Sequence, residues 1–126
     1  MTNSEECICA LATPAGGAIG IIRLSGSEAI RLTDKVFVSV SGKQLSVAKP
    51  NTLHYGEIKD KDGHTIDDVL VSVFRAPHSY TGEDSTEISC HGSRYILQQV
   101  LQRLIEVGCR QAEPGEYTRR AYMNGK

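Results

Sequence analysis

The chain has 126 residues, 40% of them hydrophobic and 23% charged, with no tryptophan. That is the size of one domain, with ordinary apolar content, so general disorder and a need for stapling by disulfide or metal are both excluded. Fourteen Lys and Arg against fifteen Asp and Glu give a net charge of −1 and a pI near 6.4, which leaves no basic surplus for binding nucleic acid mainly through phosphates.

The opening Met1-Thr2-Asn3-Ser4-Glu5-Glu6 is polar and acidic, unlike a secretory signal or a basic transit peptide. No apolar run approaches the ~18 residues of a membrane span. A soluble chain in a reducing cytoplasm is the expectation. Cys7 to Ala12 reads as a strand and ends at the breaker cluster Thr13-Pro14-Ala15-Gly16-Gly17. Ala18 to Leu24, rich in β-branched residues, is a second strand. Ser25-Gly26-Ser27-Glu28 has the S-x-x-E spacing of a capping box, and Ala29, Ile30, Leu32, Val36 and Phe37 recur at helical intervals, so one helix is expected over 27–37. Residues 39–51 are polar and read as an exposed connection. Leu53–Ile58 and Ile66–Phe74 flank an Asp62-Gly63 turn and predict a hairpin. A Pro- and Gly-containing loop over 76–84 leads to a strand from Ser85 to His91, with Thr86, Ile88 and Cys90 on one face. The stripe Ile96, Leu97, Val100, Leu101, Leu104 and Ile105 predicts a helix from about Ser93 to Val107, with Gly108 at its C-terminal cap. A short strand at Cys109–Ala112 and a third helix over 116–123 complete the order. The fold class is therefore α+β, a mixed sheet of about five to six strands covered by about three helices, in a single domain spanning 1–126. The locally basic stretch Arg110–Lys126 reads as solvated surface.

Few residues announce chemistry by themselves. The four cysteines, 7, 9, 90 and 109, lack the paired C-x-x-C spacing of a zinc site and read as buried small hydrophobes; no metal is expected. There is no G-x-x-x-x-G-K-[ST] phosphate loop and no G-x-S-x-G elbow. Cys90 and His91 are strand neighbours that face opposite ways, which argues against a nucleophile–base pair. Arg23 at the end of an apolar strand and Glu83-Asp84 on a loop beside Gly82 are the remaining candidates.

Taken together, Ala12-Thr13-Pro14 with Gly20-Ile21-Ile22-Arg23-Leu24-Ser25-Gly26, then Ser79-Tyr80-Thr81-Gly82-Glu83-Asp84, Glu87-Ile88-Ser89-Cys90-His91-Gly92, and the run Glu113 to Lys126 resemble the N-terminal domain of the MnmE (TrmE) family of tRNA-modification GTPases. The motifs keep the family's order from end to end. Two differ: the family's P-P-G-R-G-G loop is Pro14-Ala15-Gly16-Gly17-Ala18 here, and its H-G-G is His91-Gly92-Ser93.

The resemblance implies a domain similar to the folate-binding domain of glycine-cleavage T-proteins, which binds 5-formyl-tetrahydrofolate or a related folate and forms a homodimer. It implies a parent protein that continues into a helical domain and a GTPase domain using GTP, potassium and magnesium, so these residues are expected to be an N-terminal piece without GTPase activity of their own. With the flavoprotein MnmG, that parent would modify carbon 5 of the wobble uridine in tRNA; little direct RNA binding is expected of this domain. Carried over residue by residue, the cofactor-binding candidates are Arg23, Glu83 and Lys126, and no catalytic residue is assigned. A carboxylate at Glu83 suits the paired N–H donors of a pterin, while cations at Arg23 and Lys126 suit the glutamyl carboxylates, with the division between these two left open. A dimerisation module without ligand is the competing class, ahead of a free-standing aminomethyltransferase-like enzyme and a nucleic-acid-binding module.

Overall fold

The computed structural model describes residues 6–14 and 16–126; the acidic start over 1–5 and Ala15 of the first loop lie outside them. The strands are β1 (Ile8–Leu11), β2 (Ile19–Ser25), β3 (Phe37–Ser39), β4 (Thr52–Lys59), β5 (Thr65–Phe74), β6 (Ser85–His91) and β7 (Arg110–Gln111). The helices are α1 (Ala29–Val36), α2 (Arg94–Glu106) and α3 (Glu116–Met123). The seven strands form one sheet in the order β3-β4-β5-β6-β2-β1-β7. All neighbours are antiparallel except β1 and β7. The fold is thus the expected α+β mixed sheet with three helices, one strand richer than expected.

The additional strand is β3. Its residues were expected to finish the first helix and begin an exposed connection. Instead α1 stops at Val36, Phe37 turns extended (φ −107°, ψ 132°), and Phe37–Ser39 pair with Ile58–Gly56. The following connection is also less exposed than its polarity suggests. A short 3-10 turn, Leu45–Val47, buries Leu45 completely, and the Asp34 carboxylate accepts from the backbone N–H groups of Leu45 (2.6 Å) and Ser46 (2.9 Å).

Alternation then decides which face is covered. Ile22 and Leu24 of β2, Val69, Val71 and Val73 of β5, and Ile88 and Cys90 of β6 meet Ala29, Ile30, Leu32 and Val36 of α1 and Leu97, Val100 and Leu104 of α2 in one core. All four cysteines are free and buried, as expected of small hydrophobes, with the sulfurs of Cys7 and Cys109 3.3 Å apart. The opposite face carries Ile19, Ile21, Arg23 and Ser25 of β2, which stand across from His91, Ser89, Glu87 and Ser85 of β6. Further along it Tyr55 of β4 opposes Leu70 of β5. Ile19 (62% exposed), Leu53 (60%), Tyr55 (55%) and Leu70 (39%) leave this face open and partly apolar. No helix of the described residues is long and apolar enough to cross a membrane.

The proposed capping box is not formed. Ser25 is the last residue of β2, its hydroxyl is engaged elsewhere, and α1 begins at Ala29 without a side-chain cap. Helix α2 does have a side-chain cap: Ser93 accepts from the Ile96 N–H at 3.4 Å.

Candidate ligand site

The candidate site is built at the end of the open face where β2 and β6 meet the 75–84 loop. Arg23 leaves β2 on that face because Ile22 and Leu24, its neighbours in the chain, point into the core. Its Nε donates to Glu87 Oε2 at 2.8 Å, directly across the strand pair. The guanidinium carbon lies 5.1 Å from the centre of the Tyr80 ring and 5.7 Å from that of Tyr117. Two aromatic faces and one carboxylate therefore fix a planar cation in place. The Tyr117 hydroxyl donates to the Arg23 backbone oxygen at 2.5 Å, and burial pushes that phenol well above its ordinary pKa. Beside Arg23 opens a cavity of about 400 Å³ lined by Asn51, Phe74, His78, Ser79, Tyr80, Ser85 and Glu87.

Glu83 ends the same loop. Its side chain is 12% exposed. Ser25, two residues beyond Arg23 on the same strand face, donates its hydroxyl to Glu83 Oε1 at 2.7 Å. Arg120 of α3 reaches both carboxylate oxygens through Nη1, at 3.2 and 3.4 Å. The loop backbone is held as well: the Ser79 hydroxyl donates to the Glu83 carbonyl at 2.5 Å, and the Asn124 amide donates to the Thr81 carbonyl at 2.9 Å. Gly82 (φ +84°) is the required residue where the loop touches α3, because a Cβ there would lie 2.8 Å from Asn124 Cβ. Lys126 closes the third side, donating from Nζ to the Pro77 carbonyl at 3.2 Å.

All three site residues expected from the resemblance thus meet on one loop: Arg23 under Tyr80, Glu83 within it and Lys126 against Pro77. Arg23 lines the cavity; Glu83 and Lys126 are not among its lining residues. The expectation of a solvated surface over Arg110–Lys126 holds for Glu113, Arg119 and Lys126, which are exposed, and is corrected at two positions. Glu116 is fully buried and Arg120 is 2% exposed. Arg110 donates to both Glu116 oxygens, at 3.0 and 2.6 Å, and the Glu113 N–H (2.9 Å) and Arg120 Nη2 (3.2 Å) donate to the same carboxylate. The Arg110 guanidinium, with further help from the Glu113 N–H and Arg120, overcomes burial and holds the Glu116 carboxyl at about 2. The same pairing, together with Glu6, raises Arg110 above its ordinary value. Sequence reading missed Ser25, Arg120 and Glu116 as parts of this site. The helical i,i+4 spacing of Glu116 and Arg120 was the available signal, as was the i,i+2 relation of Arg23 and Ser25.

Elsewhere, His91 Nδ1 lies 2.7 Å from Asp67 Oδ1, while Cys90 turns into the core and burial pushes its thiol up to about 12. The two neighbours do not meet, as the strand alternation requires.

Against this geometry, the model of the family described as the GTP-binding protein TrmE N-terminus matches residues 7–126. The chain belongs to that family. It is 63% identical over 124 residues to the tRNA modification GTPase MnmE of Bacteroides fragilis, covering 98% of this chain and 26% of the relative. Corresponding proteins of the same name from Flavobacterium johnsoniae (56%, covering 98% of this chain and 26% of the relative) and Moorella thermoacetica (53%, covering 97% and 27%) are similar over the same span. The chain thus spans about a quarter of the length of these curated relatives.

Proposed function

We propose that this domain binds a reduced folate carrying a one-carbon unit, 5-formyl- or methylene-tetrahydrofolate, and pairs two copies of a tRNA-modification GTPase. The observation that carries the reading is the convergence on one loop of a fixed carboxylate, Glu83, and two cations, Arg23 and Lys126, beside a cavity with aromatic walls. The donor set fits a folate. A pterin offers adjacent N–H groups, for which a carboxylate is the complementary acceptor, and its tail offers carboxylates, for which a guanidinium fork is the better partner. Tyr80 and Phe74 add flat apolar walls of the kind that bind a ring system.

When bound, the folate supplies the carbon that becomes the methylene of the modified uridine. The residues of this domain bind and orient it, with Glu83 fixing the pterin and Arg23 and Lys126 the charged tail. In the parent protein, a GTPase domain with GTP, potassium and magnesium, the flavoprotein MnmG and tRNA complete the reaction in the cytoplasm. A second copy of this domain covers the open sheet face. The competing reading, dimerisation without ligand, draws on the same apolar face but leaves the clustering of Arg23, Glu83 and Lys126 without a purpose.

The test is calorimetry with 5-formyl-tetrahydrofolate on the wild type and on Glu83→Ala. Loss of one paired, charge-assisted contact should weaken binding by about tenfold or more. Equal affinity in the two proteins removes Glu83 from the site.

A further inference from the structure

Glu83 can orient a ligand only if its own carboxylate is oriented, and a glutamate on a loop has three free torsions. The structure removes that freedom from behind. Arg120, its side chain 3% exposed, lies between Glu83 on one side (3.2 and 3.4 Å) and the fully buried Glu116 on the other (3.2 Å). Glu116 is in turn clamped by both Nη groups of Arg110 and by the Glu113 N–H. Ser25 places one further donor on Oε1. A carboxylate offers about four acceptor positions. Among the described residues, the bonds from Ser25 and Arg120 crowd onto Oε1, while Oε2 receives the longest of them, 3.4 Å from Arg120 Nη1.

From this chain we infer that Arg120 is a positioning residue for the ligand site, touching no ligand and acting through the Glu83 carboxylate. The inference rests on the folate-site reading above. Fold stability is a poor reason for a cation here. Desolvating ions is costly, and apolar residues of similar volume often replace a buried ion pair without loss of stability. Without Arg120, Glu116 would keep Arg110 and the Glu113 N–H, and Glu83 would keep Ser25. What no apolar residue can supply is a planar two-armed donor that holds Glu83 through Nη1 while Nη2 is anchored on Glu116.

The measurement is a double-mutant cycle on the 126-residue chain, titrated with 5-formyl-tetrahydrofolate by calorimetry, with circular dichroism on each variant as the check of folding. Arg120→Met should weaken binding by about tenfold, and Arg120→Lys, which restores the charge but not the fork, by less. In a Glu83→Ala background, adding Arg120→Met should change nothing further, because the residue through which it acts is gone. If Arg120→Met fails to fold, Arg120→Lys carries the same cycle. Wild-type affinity in a folded Arg120 variant, while Glu83→Ala has lost its own, overturns the inference and leaves the folate site standing. Additive losses in the double variant overturn it as well. Wild-type affinity in Glu83→Ala removes the site and the inference together.

Discussion

Glu116 is a carboxylate with no exposed surface, held by two arginines and a backbone N–H. Those donors favour its charged form by more than burial disfavours it, so its pKa is about 2 in the folded chain against about 4.3 in an unfolded one. The sign follows from linkage. Above the unfolded value both states carry the charge and the full stabilisation is present; as pH falls toward 2 the unfolded chain takes up the proton first, and stability is lost across that window. Glu116→Gln should therefore lower Tm at neutral pH, at a cost of about 3–5 kcal/mol for breaking a buried pair. It should also flatten the decline of Tm between about pH 4.5 and pH 2 relative to wild type. Thermal unfolding followed by circular dichroism across that range checks both, and parallel pH profiles would refute the assignment. Beyond the i,i+4 spacing of Glu116 and Arg120, the sequence around Glu116 does not announce this burial. A run with Arg110, Glu113, Arg119 and Arg120 has the composition of a solvated helix, and only the docking of α3 on the 75–84 loop makes an internal ion chain of it.

At the scale of elements, the junction of β6 and α2 is fixed by a close approach of backbones. The Gly92 N–H donates to the Ala18 carbonyl at 2.9 Å, and a Cβ on Gly92 would fall 1.8 Å from the Gly17 carbonyl oxygen. That neighbour is backbone and cannot rotate away. Gly92→Ala should separate the loop before β2 from the start of α2 and cost about 1–3 kcal/mol, read as a lowered denaturation midpoint; an unchanged midpoint would show that the junction yields. Elements like these were legible where the period was strong. The Asp62-Gly63 hairpin, the β6 alternation and the apolar stripe of α2 are all local patterns, and each forms with boundaries within two residues of those expected. The misses share one cause. Phe37–Ser39 become a strand because β4, more than a dozen residues away, offers an edge. Ser25 fails as a cap because its hydroxyl is claimed by Thr81 (2.6 Å) and Glu83 (2.7 Å), more than fifty residues on. At the site, the same distance separates what could be read, three residues on recognisable motifs, from what could not, the Arg120 and Glu116 that hold one of them.

At the scale of the whole molecule, helices α1 and α2 cover one face of a seven-stranded sheet and leave the central strands of the other face open. A sheet with one face packed and the other in water would carry polar residues on the open face. Instead Tyr55 and Leu70 stand directly opposite each other, with Ile19 and Leu53 also exposed on the same face. Contiguous apolar surface of this kind on a small chain favours association, and the dimer proposed above would bury it. Tyr55→Glu places a charge at the centre of the patch. The position is 55% exposed, so the fold should lose no more than about 1 kcal/mol. A two-fold interface would meet the charge twice, since each copy presents the same surface to the other. Sedimentation should then show the wild type as a dimer and Tyr55→Glu as a monomer with an unchanged circular dichroism spectrum. Val47→Glu, at an exposed apolar residue of the 3-10 turn outside this face, should remain dimeric. A monomeric wild type, or a Tyr55→Glu that stays paired, would move the interface elsewhere.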